Sequence, residues 1–292
     1  MTRTTESWTS SFPAVTELTR LSSSSLVWVP GPRSATLNLF AAVHTVSVSA
    51  VLVDDAGSAT HAHLTPSTLT RALDEDLPLE GTTVVVAGDR LSPALHDRAA
   101  AAGARVHHYY GAAELSFVAW GSHVEDLRAF PGVEVAVRGG EVWARSPYLC
   151  AGYDGPPGPL RRSGDGFATV GDTGVLRDGR LTVTGRPGAV TVGGSTVCLA
   201  EVESALAARA AGQVSVVGLP HQTWGMLLAV VLTSASDHPE LVAVAKDELA
   251  RAARPRLWFH LDPLPQTAAG KVDRQALVSL LSGDGGRARR LV

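Results

Sequence analysis

Apolar and polar positions alternate in two different textures along this chain. In the first, Leu26-Val27-Trp28-Val29 predicts a strand and 34–42 is compatible with a helix. Segments 46–53 and 82–87 are rich in β-branched residues and predict buried strands. Segment 92–102 predicts an amphipathic helix, and 105–109 the next strand. Strands separated by helices of about ten residues predict βαβ units and a parallel sheet. After Gly111 the texture changes to short strands with glycine turns. Strands are predicted at 133–137 and 141–146 around Gly139-Gly140, and at 174–177 and 180–184 around Asp178-Gly179. Segment 152–166 is rich in Gly and Pro and reads as an exposed loop.

The break at Arg186-Pro187-Gly188 predicts a domain boundary, with domains at 1–186 and 189–292 and a hinge near Gly188. Beyond it, helices are predicted at 200–210 and 241–253, and strands at 214–218, 227–233 and 257–261. The tail, 282–290, holds Gly-Asp-Gly-Gly followed by arginines and reads as disordered. The fold class expected is α/β plus α+β: mixed sheets flanked by helices, then a small mobile C-terminal α+β domain.

Composition narrows the partners. The 292 residues are 45% hydrophobic and 18% charged, enough for roughly two ordinary domains, each with its own core. Lys+Arg at 25 against Asp+Glu at 28 leaves no basic excess for a polyanion, so nucleic acid is not an expected partner. The polar start Met1 to Trp8 does not read as a signal peptide, and no apolar run reaches the ~18 residues of a membrane helix. A cytoplasmic protein with no membrane partner is expected. The two cysteines, Cys150 and Cys198, read as buried thiols in a reducing compartment.

Three segments offer chemistry. Tyr109-Tyr110-Gly111-Ala112-Ala113-Glu114 reads as a turn after a strand, where α/β sheets place ligands. Tyr110 could stack on a base and Glu114 hold a hard cation beside phosphates, or Glu114 could simply be solvated. In Val170-Gly171-Asp172-Thr173-Gly174, Asp172 could accept bonds from two vicinal hydroxyls, while Arg186, closing the same hairpin, could pair with a phosphate. The bland reading is a turn Asp and a surface Arg. Near the end, Lys271 on a Gly-bearing loop could deliver its ammonium to developing negative charge, or be merely solvated. His61, His63, His107 and His108 have no Cys or carboxylate at ligand spacing, which argues against zinc. His107-His108 reads as the end of a strand. The six Trp read as packing anchors, and no Gly-x-Ser-x-Gly elbow is present.

In order and spacing these segments resemble the adenylate-forming superfamily of acyl-CoA synthetases, luciferases and peptide-synthetase adenylation domains. The resemblance runs from about Leu26 to Leu277. It implies activation of a carboxylic acid with ATP and Mg2+ to an acyl-adenylate, then transfer to the thiol of CoA or a carrier protein after the small domain rotates. By resemblance, Val86-Ala87-Gly88-Asp89-Arg90-Leu91 is similar to the loop beside adenine and the acyl pocket. Tyr110 to Glu114, with Gly111 and Ala113 among them, is similar to the Tyr-Gly-x-Thr-Glu signature, which puts Tyr110 on adenine and Glu114 on magnesium and Tyr109 beside the nucleotide. Asp172 matches the ribose-binding Asp, Arg186 the nucleotide-binding Arg, and Lys271 the lysine required for adenylation. Gly193-Gly194, with 197–203, resembles the segment lining the thiol tunnel. Glu141 to Ser146 and Gly152-Tyr153 match a connecting segment that is mostly structural.

The departures are specific. Family members are usually longer, so the N-terminal domain reads as truncated. The Gly-rich phosphate loop would have to be 4–15, where hydroxyls remain at Thr5, Ser7, Thr9 and Ser10 but the glycines and lysine are gone and Glu6 is repulsive. The family's Pro-x-x-His carries Arg33 in place of His, the signature Thr is Ala113, and Gly188 stands at the hinge. Three readings follow: an acid-CoA ligase running both half-reactions, an enzyme limited to thioester formation from a supplied adenylate, and a non-catalytic nucleotide- or acyl-binding subunit. Apolar surface bared by truncation predicts a homodimer or a partner subunit. The acyl pocket is expected around 63–69, including His63, with Ala87, Gly88 and Gly111 leaving room for an aromatic or medium-chain acid.

Overall fold

In the computed structural model, residues 1–292 are described except 156, 222–223, 268–271 and 284–287. The chain divides into two compact units, Met1–Pro187 and Gly188–Val292.

The first unit begins with α1 (Glu6–Thr9) and α2 (Phe12–Thr19), followed by β1 (Leu26–Trp28), α3 (Thr36–Ser47), β2 (Val51–Val53), β3 (His61–Leu64), α4 (Pro66–Asp74), β4 (Thr83–Val86), α5 (Pro93–Ala101) and β5 (Arg105–Ala112). Strands β2, β1, β3, β4 and β5 lie side by side in that order, all parallel. Ser92 and Thr65 start α5 and α4 as hydroxyl N-caps, each accepting from the backbone N–H three residues on. One face of this parallel sheet packs Ala62, Leu64, Val84 and Val86 with Leu69, Ala72 and Ala99 of α4 and α5. The other contributes Val85 to a core with Phe12, Val15 and Phe40.

At β5 the sheet turns antiparallel. The strands β6 (Ser116–Gly121), β7 (Arg128–Ala129), β8 (Glu134–Arg138), β9 (Glu141–Arg145), β10 (Arg161–Arg162), β11 (Ala168–Thr169), β12 (Thr173–Arg177) and β13 (Arg180–Gly185) extend it. Their order from β5 outward is β6, β7, β13, β12, β9, β11, β10, with β8 on β9.

The second unit contains β14 (Ala189–Val192), β15 (Ser195–Cys198), α6 (Leu199–Ala207), β16 (Val214–His221), β17 (Gly225–Leu232), α7 (His238–Glu248), β18 (Leu257–His260), α8 (Arg274–Ser282) and β19 (Arg289–Leu291). Its sheet runs β15-β14-β17-β18-β19, with β16 on β17, and its faces are covered by Leu206 and Leu241 on one side and Leu264 and Leu277 on the other. Both units show the expected mixture of sheets flanked by helices.

Several expectations are corrected. Segment 46–53 is not one strand: Val46 and Ser47 end α3, and only Val51–Val53 pairs with β1. Tyr109, Tyr110 and Gly111 lie on β5 rather than in a turn, because β6 pairs back on them. His107-His108 is therefore within the strand, not at its end. The segment 4–15 holds α1 and the start of α2, not a phosphate loop. Its hydroxyls bond its own backbone: Ser7 Oγ donates to Thr4 O, Thr9 Oγ1 to Thr5 O, Ser10 Oγ to Glu6 O and Ser11 Oγ to Trp8 O. The predicted loop 152–166 contributes β10, paired with β11. The helix predicted over 241–253 starts earlier, at His238, and ends at Glu248, with a single 3-10 turn at Arg251–Ala253. In the tail, Arg289–Leu291 pairs with β18 instead of remaining irregular. Cys150 is buried, whereas Cys198 is only half-buried.

Candidate functional site

The hairpin β12–β13 sets the geometry. Its turn, Asp178-Gly179, fixes a register in which Thr173 lies opposite Gly185, and Thr173 Oγ1 also donates to Gly185 O at 2.8 Å. Asp172 precedes that pair and Arg186 follows it, so the two side chains meet at the open end: Arg186 Nε donates to Asp172 Oδ1 at 3.0 Å. The other oxygen, Oδ2, accepts from Tyr110 Oη on β5 at 2.8 Å. Asp172 is 9% exposed, so its charge is compensated by two donors rather than by water. Burial, then the Asp172 charge, push the Tyr110 phenol well above its ordinary pKa, and the hydroxyl stays a donor.

Gly111 follows Tyr110 on the same strand. A Cβ at Gly111 would stand 2.1 Å from Ser116 O, so only glycine permits this tight pairing of β5 with β6. The chain then turns through Ala113 to Glu114, which is half-buried. Glu114 Oε1 accepts from Tyr153 Oη at 2.8 Å, and Glu114 O accepts from Cys150 N at 2.8 Å. Burial, then the Glu114 bond, push the Tyr153 phenol up to about 12. The backbone of Ala113 is held too: Arg3 Nη2 donates to Ala113 O at 2.7 Å.

The loop after β4 reaches the same region. Val86 pairs with His108, which brings Ala87 and Gly88 beside Tyr109 and Tyr110. Arg90 Nη1 donates to Val183 O on β13 at 2.8 Å, and Asp89 Oδ1 accepts from Arg90 N at 2.7 Å. Burial raises the Asp89 carboxyl above its ordinary value. Tyr109 packs within the core, stacked on Trp120 with ring centroids 5.7 Å apart, so its ring serves packing.

Gly88, Asp89, Arg90, Tyr110, Gly111, Ala113, Glu114, Asp172 and Arg186 are thus gathered around the ends of β4 and β5 and the open end of one hairpin. His63 is not at that level. It pairs with Val85 on β4, one pleat repeat below Ala87, and its Nδ1 is buried without a hydrogen-bond partner. Burial, with His44 and His61 nearby, lowers its pKa to about 3. Arg33 is exposed and donates to Asn38 O.

In the second unit, Gly193-Gly194 forms the turn between β14 and β15, both at positive φ. Gly188 also has positive φ, +71°. Lys271 lies outside the described residues. Gln266 and Val272, on either side of it, bridge to one another, and Arg274 Nη2 donates to both oxygens of Glu203 at 2.7 and 2.9 Å.

The donor set suits magnesium held largely by a substrate's phosphates: one half-buried carboxylate with an oxygen left over, and among the described residues no group of three or more ligands that could cage a metal. Sequence reasoning passed over two residues here, Tyr153 and Arg3. Tyr153 falls by resemblance in connecting structure, and its bond to Glu114 joins a loop to a turn with no register to announce it. Arg3 carried no signal at all.

Among the described residues no helix is long and apolar enough to cross a membrane. The AMP-binding enzyme C-terminal domain family matches residues 201–271. The chain is 29% identical over 226 residues to the 2-succinylbenzoate–CoA ligase of Escherichia coli (strain K12), covering 75% of this chain and 50% of that protein. To the mitochondrial malonate–CoA ligase of Homo sapiens it is 32% identical over 157 residues, covering 51% and 27%. A solved structure of o-succinylbenzoate CoA synthetase from Bacillus subtilis matches its fold with a TM-score of 0.78 at 21% identity, covering 99% of this chain and 67% of that one. The chain spans about half the length, or less, of the two curated relatives. By its two-unit architecture, its C-terminal family match and these relatives, the chain belongs to the adenylate-forming superfamily of acyl-CoA synthetases.

Proposed function

We propose that this protein activates a carboxylic acid with ATP to an acyl-adenylate and then forms a thioester with CoA. The observation that supports this most is the convergence of Tyr110 and Arg186 on the buried carboxylate of Asp172, with Glu114 at the end of the same strand as Tyr110. In this reading a carboxylate oxygen of the acid bonds to the α-phosphorus of ATP as the bond to pyrophosphate breaks. The thiol sulfur then bonds to the acyl carbon, AMP leaves, and the thiol proton passes to solvent.

Asp172 accepts the ribose hydroxyls, and the N–H groups of Arg186 not used on Asp172 face phosphate. Gly88, Asp89 and Arg90 border the nucleotide. The second oxygen of Glu114 would hold Mg2+, which would supply positive charge against the phosphates. Lys271 supplies positive charge to the departing pyrophosphate. Gly193-Gly194 line the path of the thiol, of CoA or of a carrier protein, and Gly188 is the hinge between the two half-reactions. Ala87, Gly88 and Gly111 leave space for an aromatic or medium-chain acid, with His63 deeper on the same face. Such an enzyme acts in the cytoplasm, where thiols such as Cys150 and Cys198 stay reduced.

A second reading, thioester formation from a supplied adenylate, is favoured by α1 and the start of α2, where the hydroxyls of Ser7, Thr9, Ser10 and Ser11 are spent on the local backbone. The third, a non-catalytic binding subunit, draws on Leu39, Val43 and Val46, which lie exposed at helical spacing on one side of α3 and suit a second copy of the chain.

Pyrophosphate release with ATP, Mg2+ and a panel of carboxylic acids tests the proposal, with Lys271→Ala as control. Acid-dependent release that vanishes in the variant supports it. Absence of release, with thioester formed from a supplied acyl-adenylate, replaces it by the second reading, and absence of both leaves the binding role.

A further inference from the structure

One face of the parallel sheet carries polar atoms that nothing in the protein satisfies. His63 on β3 and His107 on β5 both stand opposite Val85 of the strand between them. The three side chains therefore form one row, on the face where Phe12 and Phe40 pack against Val85. His63 is 6% exposed, and among the described residues neither of its ring nitrogens has a hydrogen-bond partner: Nδ1 is sealed from solvent and Nε2 is not. Tyr109, two residues past His107, packs its ring on Phe117 and Trp120, while its hydroxyl has no partner among the described residues.

Trp120 sets the tautomer of His107. The indole N–H can only donate, and it donates to His107 Nδ1 at 3.4 Å, so the proton of the neutral imidazole is on Nε2. That N–H is a donor without an acceptor among the described residues. Burial lowers the pKa of both histidines, of His63 to about 3, so the row is uncharged. Arg105, two residues earlier on β5, is spent on Thr83 Oγ1 and Gly81 O.

These groups discriminate between acyl chains. A hydrocarbon lying over Val85 would leave both imidazoles unpaired, which costs about tenfold or more in affinity. A second carboxylate would bring a buried charge that no cation of this row answers. A hydroxyl suits both rings, because its oxygen accepts from His107 Nε2 and its hydrogen serves an acceptor nitrogen of His63. The row lies two residues from Ala87, about 7 Å along the strands, so the hydroxyl belongs at the far end of the acyl group from its carboxylate. Phe117 and Trp120 beside Tyr109 suit an aromatic ring in between.

We infer that the acyl pocket takes an aromatic acid carrying a hydroxyl at its far end, and that His63 and His107 are the residues that select it. The inference rests on the reading of Ala87, Gly88 and Gly111 as the acyl pocket, and it narrows the acid proposed there to a phenolic one.

Equilibrium titration of the purified protein with 3-(4-hydroxyphenyl)propanoate and its 4-methyl and 4-carboxy analogues tests it without relying on turnover. The hydroxyl acid should bind about tenfold or more tighter than the methyl acid, its near isostere, and the carboxy acid weakest. His63→Leu and His107→Leu should each reduce the hydroxyl-to-methyl ratio by about fivefold or more. The first of these removes no hydrogen bond within the protein, so its fold is retained. His107→Gln, which restores an N–H, should recover part of the ratio lost in His107→Leu. A ratio near one in the wild-type protein, a carboxy acid bound as well as the hydroxyl acid, or a ratio unchanged in both leucine variants overturns the inference, and so does absence of binding by all three acids. Pyrophosphate release with ATP is measured beside it: a hydroxyl preference in binding without release keeps this inference and removes the adenylation reading, whereas release without the preference does the reverse.

Discussion

The phenolic hydroxyl of Tyr153 donates to Oε1 of Glu114 at 2.8 Å, joining two residues 39 positions apart. The bond fixes the carboxylate's orientation and leaves Oε2 for a cation. Supporting groups of this kind affect metal affinity by about tenfold or more. Tyr153→Phe should therefore raise the Mg2+ concentration needed for half-maximal pyrophosphate release by about tenfold, with little change in melting temperature. Glu114→Gln should reduce the rate by about a hundredfold or more at any Mg2+ concentration, since the charge itself is lost. A magnesium titration of both variants checks the pair.

Gly111→Ala should be among the most damaging single changes in the first unit. The added methyl would meet the backbone oxygen of Ser116 at 2.1 Å, and a carbonyl on a paired strand has no room to retreat. We expect a loss of about 2 kcal/mol or more by urea denaturation. Gly140→Ala is the control: it has positive φ, but nothing lies within 4 Å of its Cβ position. Its cost should stay near ~1 kcal/mol.

These two glycines also show what the sequence makes legible. Hairpins announce themselves through Gly139-Gly140 and Asp178-Gly179, and the meeting of Asp172 with Arg186 follows from the register of the second. The parallel strands at 26–28 and 83–86 are visible as β-branched or aromatic runs. By contrast, β3 reads His-Ala-His-Leu and is buried on both faces, so it shows neither alternation nor β-branching. Helices α1 and α2 are hidden by Ser and Thr, whose preference for caps and turns outweighs the Trp8, Phe12 and Val15 contacts that hold them. Val46 misleads in the opposite sense: a β-branched residue ends a helix because Phe40, Ala41 and His44 bury the other side of it. Tyr153 and Glu114 meet through tertiary packing alone.

Acid should destabilise the first unit in a defined window. Burial is the main cause that lowers His63 to about 3, and His44 and His108 to about 4. These folded values lie below the unfolded one of about 6.5, so the unfolded chain binds more protons between the two. Stability is therefore full above about pH 6.5 and falls as the pH drops toward 4, by roughly 1 kcal/mol per pH unit for each histidine. Urea midpoints measured from pH 7 to pH 5 should decline steeply. His63→Asn should flatten the decline, since one of the three titrating groups is gone.

The bond of Arg274 with both oxygens of Glu203 flanks Lys271 in sequence but is partly solvent-exposed, with side chains 47% and 24% accessible. Arg274→Ala should cost less than about 1 kcal/mol of stability. Pyrophosphate release should slow by several-fold more than that stability loss explains. Parallel melting curves and rate measurements separate the two effects.

The β12–β13 hairpin also suggests where the molecule could be engineered. Asp172 and Arg186 meet at the open end, while its tip at Asp178-Gly179 lies six residue steps from Asp172, about 20 Å along the strand. Residues at the two ends share a register but no side-chain partners. A short peptide epitope or a fluorophore attached at the tip would therefore leave the Asp172–Arg186 end untouched, provided that the number of paired residues between them is left unaltered.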